Sequence, residues 1–419
     1  MGKKFTIRNS LLTDIFANSR PFSIYNVFII SFTCLFIQTL GKEYVTTRRV
    51  TFGLDIIRTG FVHFDKAIFV WLSGFGSACA SFFFFKLWSN LREFVKETAP
   101  ILDWFGLTCL AVYYFYTFKL LTDAIYYFNF NMPCTLFVTF EQVRFLMKVH
   151  AFVRTKTSEG PFGLSFSKYL YFLFAPTLIY RDAYPRTKTI NWKFVIQCLL
   201  ECIAGFFTVT FCAINCLPSS ERWAQKYTVS EILFEIEVGM IFTVAGVIAT
   251  SFLILHSVQN LFAEILQFGD RLFYFDWWNE YTLHGWLVKW NMIVQDWLYY
   301  YVYRDFKEHI CDDGFLAKLT VFLVSFGVHE WITYCCVGGF LPFMFFVFMA
   351  VVFPLSFYEF PKIMFFKILF RCFGILLVSV GIVFYTLEWY ACSQSPLTDP
   401  TLLDLVVPRF ITCDCVLKW

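Results

Sequence analysis

Apolar runs long enough to cross a bilayer recur from one end of this chain to the other. They fall near residues 23–40, 67–85, 104–121, 134–152, 194–214, 238–261, 315–336, 340–357 and 365–387. A span needs about 20 such residues, because a helix rises about 1.5 Å per residue and the hydrocarbon core is about 30 Å thick. A soluble fold could not cover this much apolar surface. Hydrophobic residues make up 58% of the chain and charged ones 16%, and Phe alone occurs 58 times. Soluble domains carry roughly 25% charged residues. The expectation is an all-α polytopic membrane protein of about nine transmembrane helices, since helices satisfy their own backbone polar groups in lipid.

Charge sets the orientation. Residues 154–193 hold seven basic side chains against two acidic ones, the signature of a cytosolic loop. Four spans after a cytosolic N-terminus bring the chain to that loop. Six place residues 267–313 on the same side, and nine leave the C-terminus in the lumen. The domain reading is a short cytosolic arm (1–22), a membrane domain (23–388) and a lumenal tail (389–419). Within the basic loop, YLYFLFAPTLIY (169–180) is too short to span and contains Pro176, which predicts an interfacial or re-entrant segment. The fourth run is the most polar, with Glu141, Gln142, Arg144 and Lys148. Glu141 and Arg144 are three apart, a spacing that predicts an ion pair on one helix face.

Several function classes are excluded. The net charge is +3 and basic residues are scattered, so no nucleic-acid partner is expected. The first 20 residues are polar and carry Lys3, Lys4, Arg8 and Arg20, unlike a cleavable signal peptide. There is no phosphate-cradling Gly-rich loop, CxxC pair, HExxH or GxSxG elbow, and the six histidines are widely spread, so no metal site is expected. Most of the 15 cysteines lie in apolar runs and read as small hydrophobes. Cys392, Cys413 and Cys415 follow the last run. In an oxidising lumen Cys392 would pair with Cys413, with Cys415 as competing partner.

The chemistry concentrates in residues 273–335. FYFDWWN (273–279) leads through the aromatic-rich WNMIVQDWLYYYVYRDF (290–306) into an apolar run with His329 near its middle. An ionisable residue at membrane depth is costly and faces a cavity. Burial favours the neutral imidazole that a general base needs. Ser325 and Thr333 lie one turn to either side, forming a polar stripe with His329. Asn291 and Gln295 are four apart; on spacing alone they read as a cap or interhelical pair rather than as oxyanion donors. His256 ends the sixth run and reads as a structural hydrogen-bond partner.

At these residues the sequence resembles a known family. FYFDWWN matches the FYxDWWN signature of the sterol and diacylglycerol O-acyltransferase branch of the membrane-bound O-acyltransferase superfamily, and VSFGVHEW (324–331) looks like the segment carrying that superfamily's histidine. LLTDIF, EQVRFLMKVHAFVR, YRDAYPR, DWLYYYVYRDF and PTLLDLVVPR resemble the sterol O-acyltransferases in particular. The resemblance implies a membrane-embedded catalytic chamber in the endoplasmic reticulum. It implies acyl transfer from acyl-CoA, as cosubstrate, to the 3-hydroxyl of a sterol, with no further cofactor and a homodimer or higher homo-oligomer. Carried over by position, His329 is the base and Asn291 its neighbour. Asn279, His256, Tyr303, Ser325, Gln295 and Trp290 fall at substrate-site positions. The chain departs from the mammalian sterol enzymes at Val288, Gln295 and Gly314, where they have Arg, His and Lys. Lys289 or Lys318 would then hold the CoA phosphates.

Overall fold

The computed structural model describes residues 3–18, scattered positions from 30 to 50, and 54–95, 99–159, 163–216, 226–339, 341–358, 363–394, 407–413 and 416. The described residues are mostly helical, with two isolated bridges and no strand among them. Six helices are long and apolar enough to cross a membrane: Phe64–Phe94, Pro100–Tyr127, Trp192–Ala213, Val229–Ile265, Gly314–Val337 and Met364–Gln394. They contain the second, third, fifth, sixth, seventh and ninth expected spans or most of each. The first expected span lies mostly outside the described residues. The fourth forms a helix, Met132–Glu159, too polar to qualify by composition. The eighth forms a shorter apolar helix, Phe343–Leu355.

The chain divides into two compact units, Met1–Phe5 with Ile15–Tyr184, and Thr6–Asp14 with Pro185–Trp419. In the first, the polar residues that weaken the fourth run have structural partners. Arg144 grips Glu141 through two bonds of 2.7 Å, the ion pair the spacing predicted. Its other arm donates to the Leu173 carbonyl at 2.5 Å. Lys148, 2% exposed, donates to the carbonyls of Phe172 and Ala175 at 2.5 and 2.7 Å. Lys156 reaches Asp182 at 2.6 Å. Arg144 and Lys148 thereby satisfy the end of helix Phe166–Phe174, whose last carbonyls have no intrahelical donors. The 169–180 segment is thus a short helix and an irregular tail. It is buried, with Tyr169, Phe172 and Tyr180 at 0% exposure. Phe152 packs against Tyr169 and Tyr180 at 4.6 and 5.0 Å between ring centroids.

In the second unit, helix Val229–Ile265 opens with a capping box at Thr228 and Glu231. It loosens into a π turn over Phe252–Val258, which contains His256. Helix Gly314–Val337 is defined at both ends. Asp313 accepts from the N–H groups of Phe315 and Leu316 at 2.7 and 2.9 Å, and Gly338 closes it at φ 77°, a conformation glycine adopts at least cost. The C-terminal tail is docked. Glu388 accepts from the backbone of Arg409 and Phe410 at 2.9 and 3.0 Å, and Tyr227 N–H donates to the Val416 carbonyl at 2.7 Å. The Cys392–Cys413 bridge expected from sequence is not made. Cys392 is a free thiol whose sulfur packs against Gly339. Cys413 is disulfide-bonded to a partner whose side chain lies outside the described residues, as does Cys415.

Candidate functional site

The site residues expected from sequence all fall in the second unit. His329 sits mid-helix, and its Nδ1–H donates to the Ser325 carbonyl at 2.6 Å. A carbonyl can only accept, so Nδ1 carries a proton, and in the neutral ring the lone pair is on Nε2. Thr333 repeats the pattern one turn on, donating to the His329 carbonyl at 2.8 Å. The polar stripe therefore ties its own side chains to the helix backbone. No other part of the described protein covers the His329 side chain, which is exposed, whereas Phe326, one turn back, is buried.

Asn291 is not in mid-helix. It breaks the chain between helices Leu283–Trp290 and Met292–Leu298, with φ −137° and ψ 90°. Its Oδ1 accepts from the Val294 N–H at 3.2 Å, so the cap reading is the observed one. That bond also fixes the amide orientation and leaves Nδ2 as the outward donor. Gln295 N–H donates to the Asn291 carbonyl at 2.9 Å, and its side chain is half-buried. Among the described residues no hydrogen bond joins Asn291 to His329.

The signature segment holds Asn291 in place. Met292 N–H donates to the Phe273 carbonyl at 2.9 Å, and Phe275 N–H to the Lys289 carbonyl at 3.0 Å. The two backbones run side by side on either flank of Asn291. Trp290 locks the pairing, its ring 4.6 Å from Trp277 and 4.8 Å from Trp286. Asn279 ends a single 3₁₀ turn and is exposed. Lys289 bridges Asp276 at 3.1 Å and Glu280 at 2.5 Å, and these carboxylates hold its ammonium above the usual lysine range. Its charge is spent inside the motif, which argues against Lys289 as a phosphate ligand. Lys318 lies 4.9 Å over the Phe357 ring. Tyr303, in a second π turn, stacks on Tyr299 at 5.8 Å. Its hydroxyl lies 3.6 Å from where a Cβ at Gly314 would stand, so two of the expected positions are neighbours.

His256 is the structural hydrogen-bond partner expected from sequence, but none of its partners was foreseen. The ring is buried, and its Nδ1 lies 2.7 Å from the Tyr274 hydroxyl, 3.2 Å from Asn260 Nδ2 and 3.3 Å from Ser10 Oγ. Asn260 Nδ2 also lies 2.9 Å from the His256 carbonyl and 3.0 Å from Ser10 Oγ. Those two acceptors can take both Nδ2 protons, and the ring Nδ1 and the Tyr274 hydroxyl, a neutral phenol that burial holds above its usual pKa, share the shortest hydrogen bond of the knot. The signal was present in the FYFDWWN match, of which Tyr274 is the second residue. As to metals, Asp305, Glu308 and His309 bring ligand atoms within 4.8 Å of one another. Glu308 there is paired with Arg304 at 3.0 Å, and both it and His309 are exposed.

Comparison with known proteins matches residues 85–388 to the membrane-bound O-acyltransferase family. Sterol O-acyltransferase 1 of Rattus norvegicus is 32% identical, aligning 98% of this chain with 78% of its own length. Sterol O-acyltransferase 2 of Rattus norvegicus is 33% identical over 98% of this chain and 81% of its own. The Homo sapiens form is 31% identical, over 98% and 80%.

Proposed function

The chain belongs to the membrane-bound O-acyltransferase family, and from that premise we propose that it moves a long-chain fatty acyl group from acyl-CoA to the 3-hydroxyl of a sterol. The acceptor is supported by the names of its relatives and by the YRDAYPR and DWLYYYVYRDF segments. The observation that carries the chemistry is the committed Nδ1–H of His329, which leaves Nε2 as the basic nitrogen. In the reaction the sterol oxygen attacks the thioester carbonyl. The ester C–O bond forms, the C–S bond breaks, and the hydroxyl proton passes to Nε2 and then to the departing CoA thiolate. No acyl-enzyme forms. Asn291 Nδ2 donates to the developing oxyanion. A base of this kind contributes roughly 10²–10⁴-fold and an oxyanion donor roughly 10²–10³-fold. The enzyme works in the endoplasmic reticulum membrane as a homo-oligomer, its N-terminus cytosolic and its C-terminus lumenal.

The test is an acyl-transfer assay in cells lacking neutral-lipid synthesis, with labelled oleate and either sterol, diacylglycerol or fatty alcohol. Label in steryl ester that disappears with His329→Ala, in protein that still folds, is the expected result. Label only in triacylglycerol or wax ester would change the acceptor and keep the mechanism. Robust turnover by His329→Ala would remove the base.

A further inference from the structure

Residues 6–14 are not a loose arm. Arg8 N–H donates to the Gly269 carbonyl at 2.9 Å and the Arg8 carbonyl accepts from Arg271 at 3.2 Å. The Arg8 guanidinium forks onto Asp270 at 2.6 and 3.1 Å, a geometry that fixes direction as well as distance. Thr6 N–H adds a bond to the same carboxylate at 3.2 Å. Asp270 is held in a side chain 1% exposed, where an unpaired charge would be costly. Ser10, at 0% exposure, bonds His256 and Asn260, and His256 in turn bonds the Tyr274 hydroxyl at 2.7 Å.

Tyr274 stands between the two residues whose backbones clamp the Asn291 break, Phe273 and Phe275. A shift of the Tyr274 hydroxyl therefore moves the carbonyl of 273 and the N–H of 275 together. We infer that Thr6–Asp14 is a strap that positions the signature segment, and through it Asn291, with Arg8 and Ser10 as positioning residues for the acyl-transfer step. This rests on the reading of Asn291 as an oxyanion donor. Neither residue needs to touch substrate. Their effect belongs in kcat, because they set the direction of a donor used in the transition state.

The experiment uses the full chain in detergent with acyl-CoA and the acceptor identified above. Ser10→Ala, Arg8→Ala, Tyr274→Phe and Asn291→Ala are compared, with Ser10→Thr as the conservative variant. Ser10→Ala is expected to lower kcat by about tenfold with KM unchanged, and Ser10→Thr to recover most of it. In the Asn291→Ala background the same change is expected to cost nothing further. Hydrogen exchange at residues 273–292 is expected to quicken about tenfold in Arg8→Ala and Ser10→Ala while exchange in Gly314–Val337 holds. Unchanged exchange at 273–292 in both variants overturns the strap, whatever the activity. Fully additive losses of Ser10→Ala and Asn291→Ala overturn the route through Asn291. Wild-type protein that transfers no acyl group would remove the functional reading alone, since the exchange result still decides the strap. If Arg8→Ala does not fold, the Arg8→Asp, Asp270→Arg exchange of partners replaces it, and exchange no slower than in Asp270→Arg alone counts against the inference.

Discussion

A lysine buried at 2% exposure survives only if its N–H donors are occupied, and Lys148 spends them on the carbonyls of Phe172 and Ala175. Removing it would orphan both acceptors. Lys148→Met is expected to cost roughly 1–3 kcal/mol, read as a lower unfolding midpoint in detergent. An unchanged midpoint would show the carbonyls satisfied otherwise. Lys148 and Lys289 also illustrate what sequence conceals at this scale. Lys148 stands in the sequence as an unexplained charge and Lys289 as a candidate phosphate ligand, and both turn out to be consumed by structure, one by carbonyls 24 and 27 positions away, the other by Asp276 and Glu280. Asn291 differs. WNMIVQDW leaves a cap and an interhelical pair both open, and Asn291 forms the cap. The backbone partners in residues 273–275 that hold the break are encoded by no local pattern.

Among the elements, the seam that joins residues 6–8, 185–187 and 267–271 combines backbone pairs with the Arg8–Asp270 fork. Gly269 donates to the Pro185 carbonyl at 2.8 Å and Thr187 to the Gln267 carbonyl at 3.0 Å. A Cβ on Gly269 would stand 2.9 Å from that Pro185 oxygen and 3.1 Å from Ile7 Cγ1, closer than side chains pack. Gly269→Ala is expected to destabilise by about 1–3 kcal/mol and to quicken exchange at 267–271. A variant as stable as wild type would mean that the seam relaxes freely. The π turns at Phe252–Val258 and Tyr299–Tyr303 place His256 and Tyr303 at irregular points of otherwise regular helices, where such turns often mark function. Helix existence was legible from run length. The π register was not, because one extra residue in a turn leaves hydropathy unchanged.

Across the whole molecule, the thiols give a direct check on the C-terminal tail. Alkylation of denatured, unreduced protein is expected to label Cys392, whereas Cys413 labels only after reduction. Labelled Cys413 before reduction would show its disulfide absent. What the sequence by itself determined was the class of protein and the positions of its spans: burying 58% hydrophobic residues with 16% charged leaves lipid as the solvent, and span length follows from bilayer thickness. It also marked the FYFDWWN and VSFGVHEW segments, on which the proposed chemistry rests. The tertiary structure alone decided which groups meet. Arg8 and Asp270 are 262 positions apart and Ser10 and His256 are 246 apart, and hydropathy along a chain holds no record of such pairings. The exposure of His329, the commitment of Lys289 and the free thiol of Cys392 likewise depend on what packs beside each side chain, which is set only when distant segments close on one another.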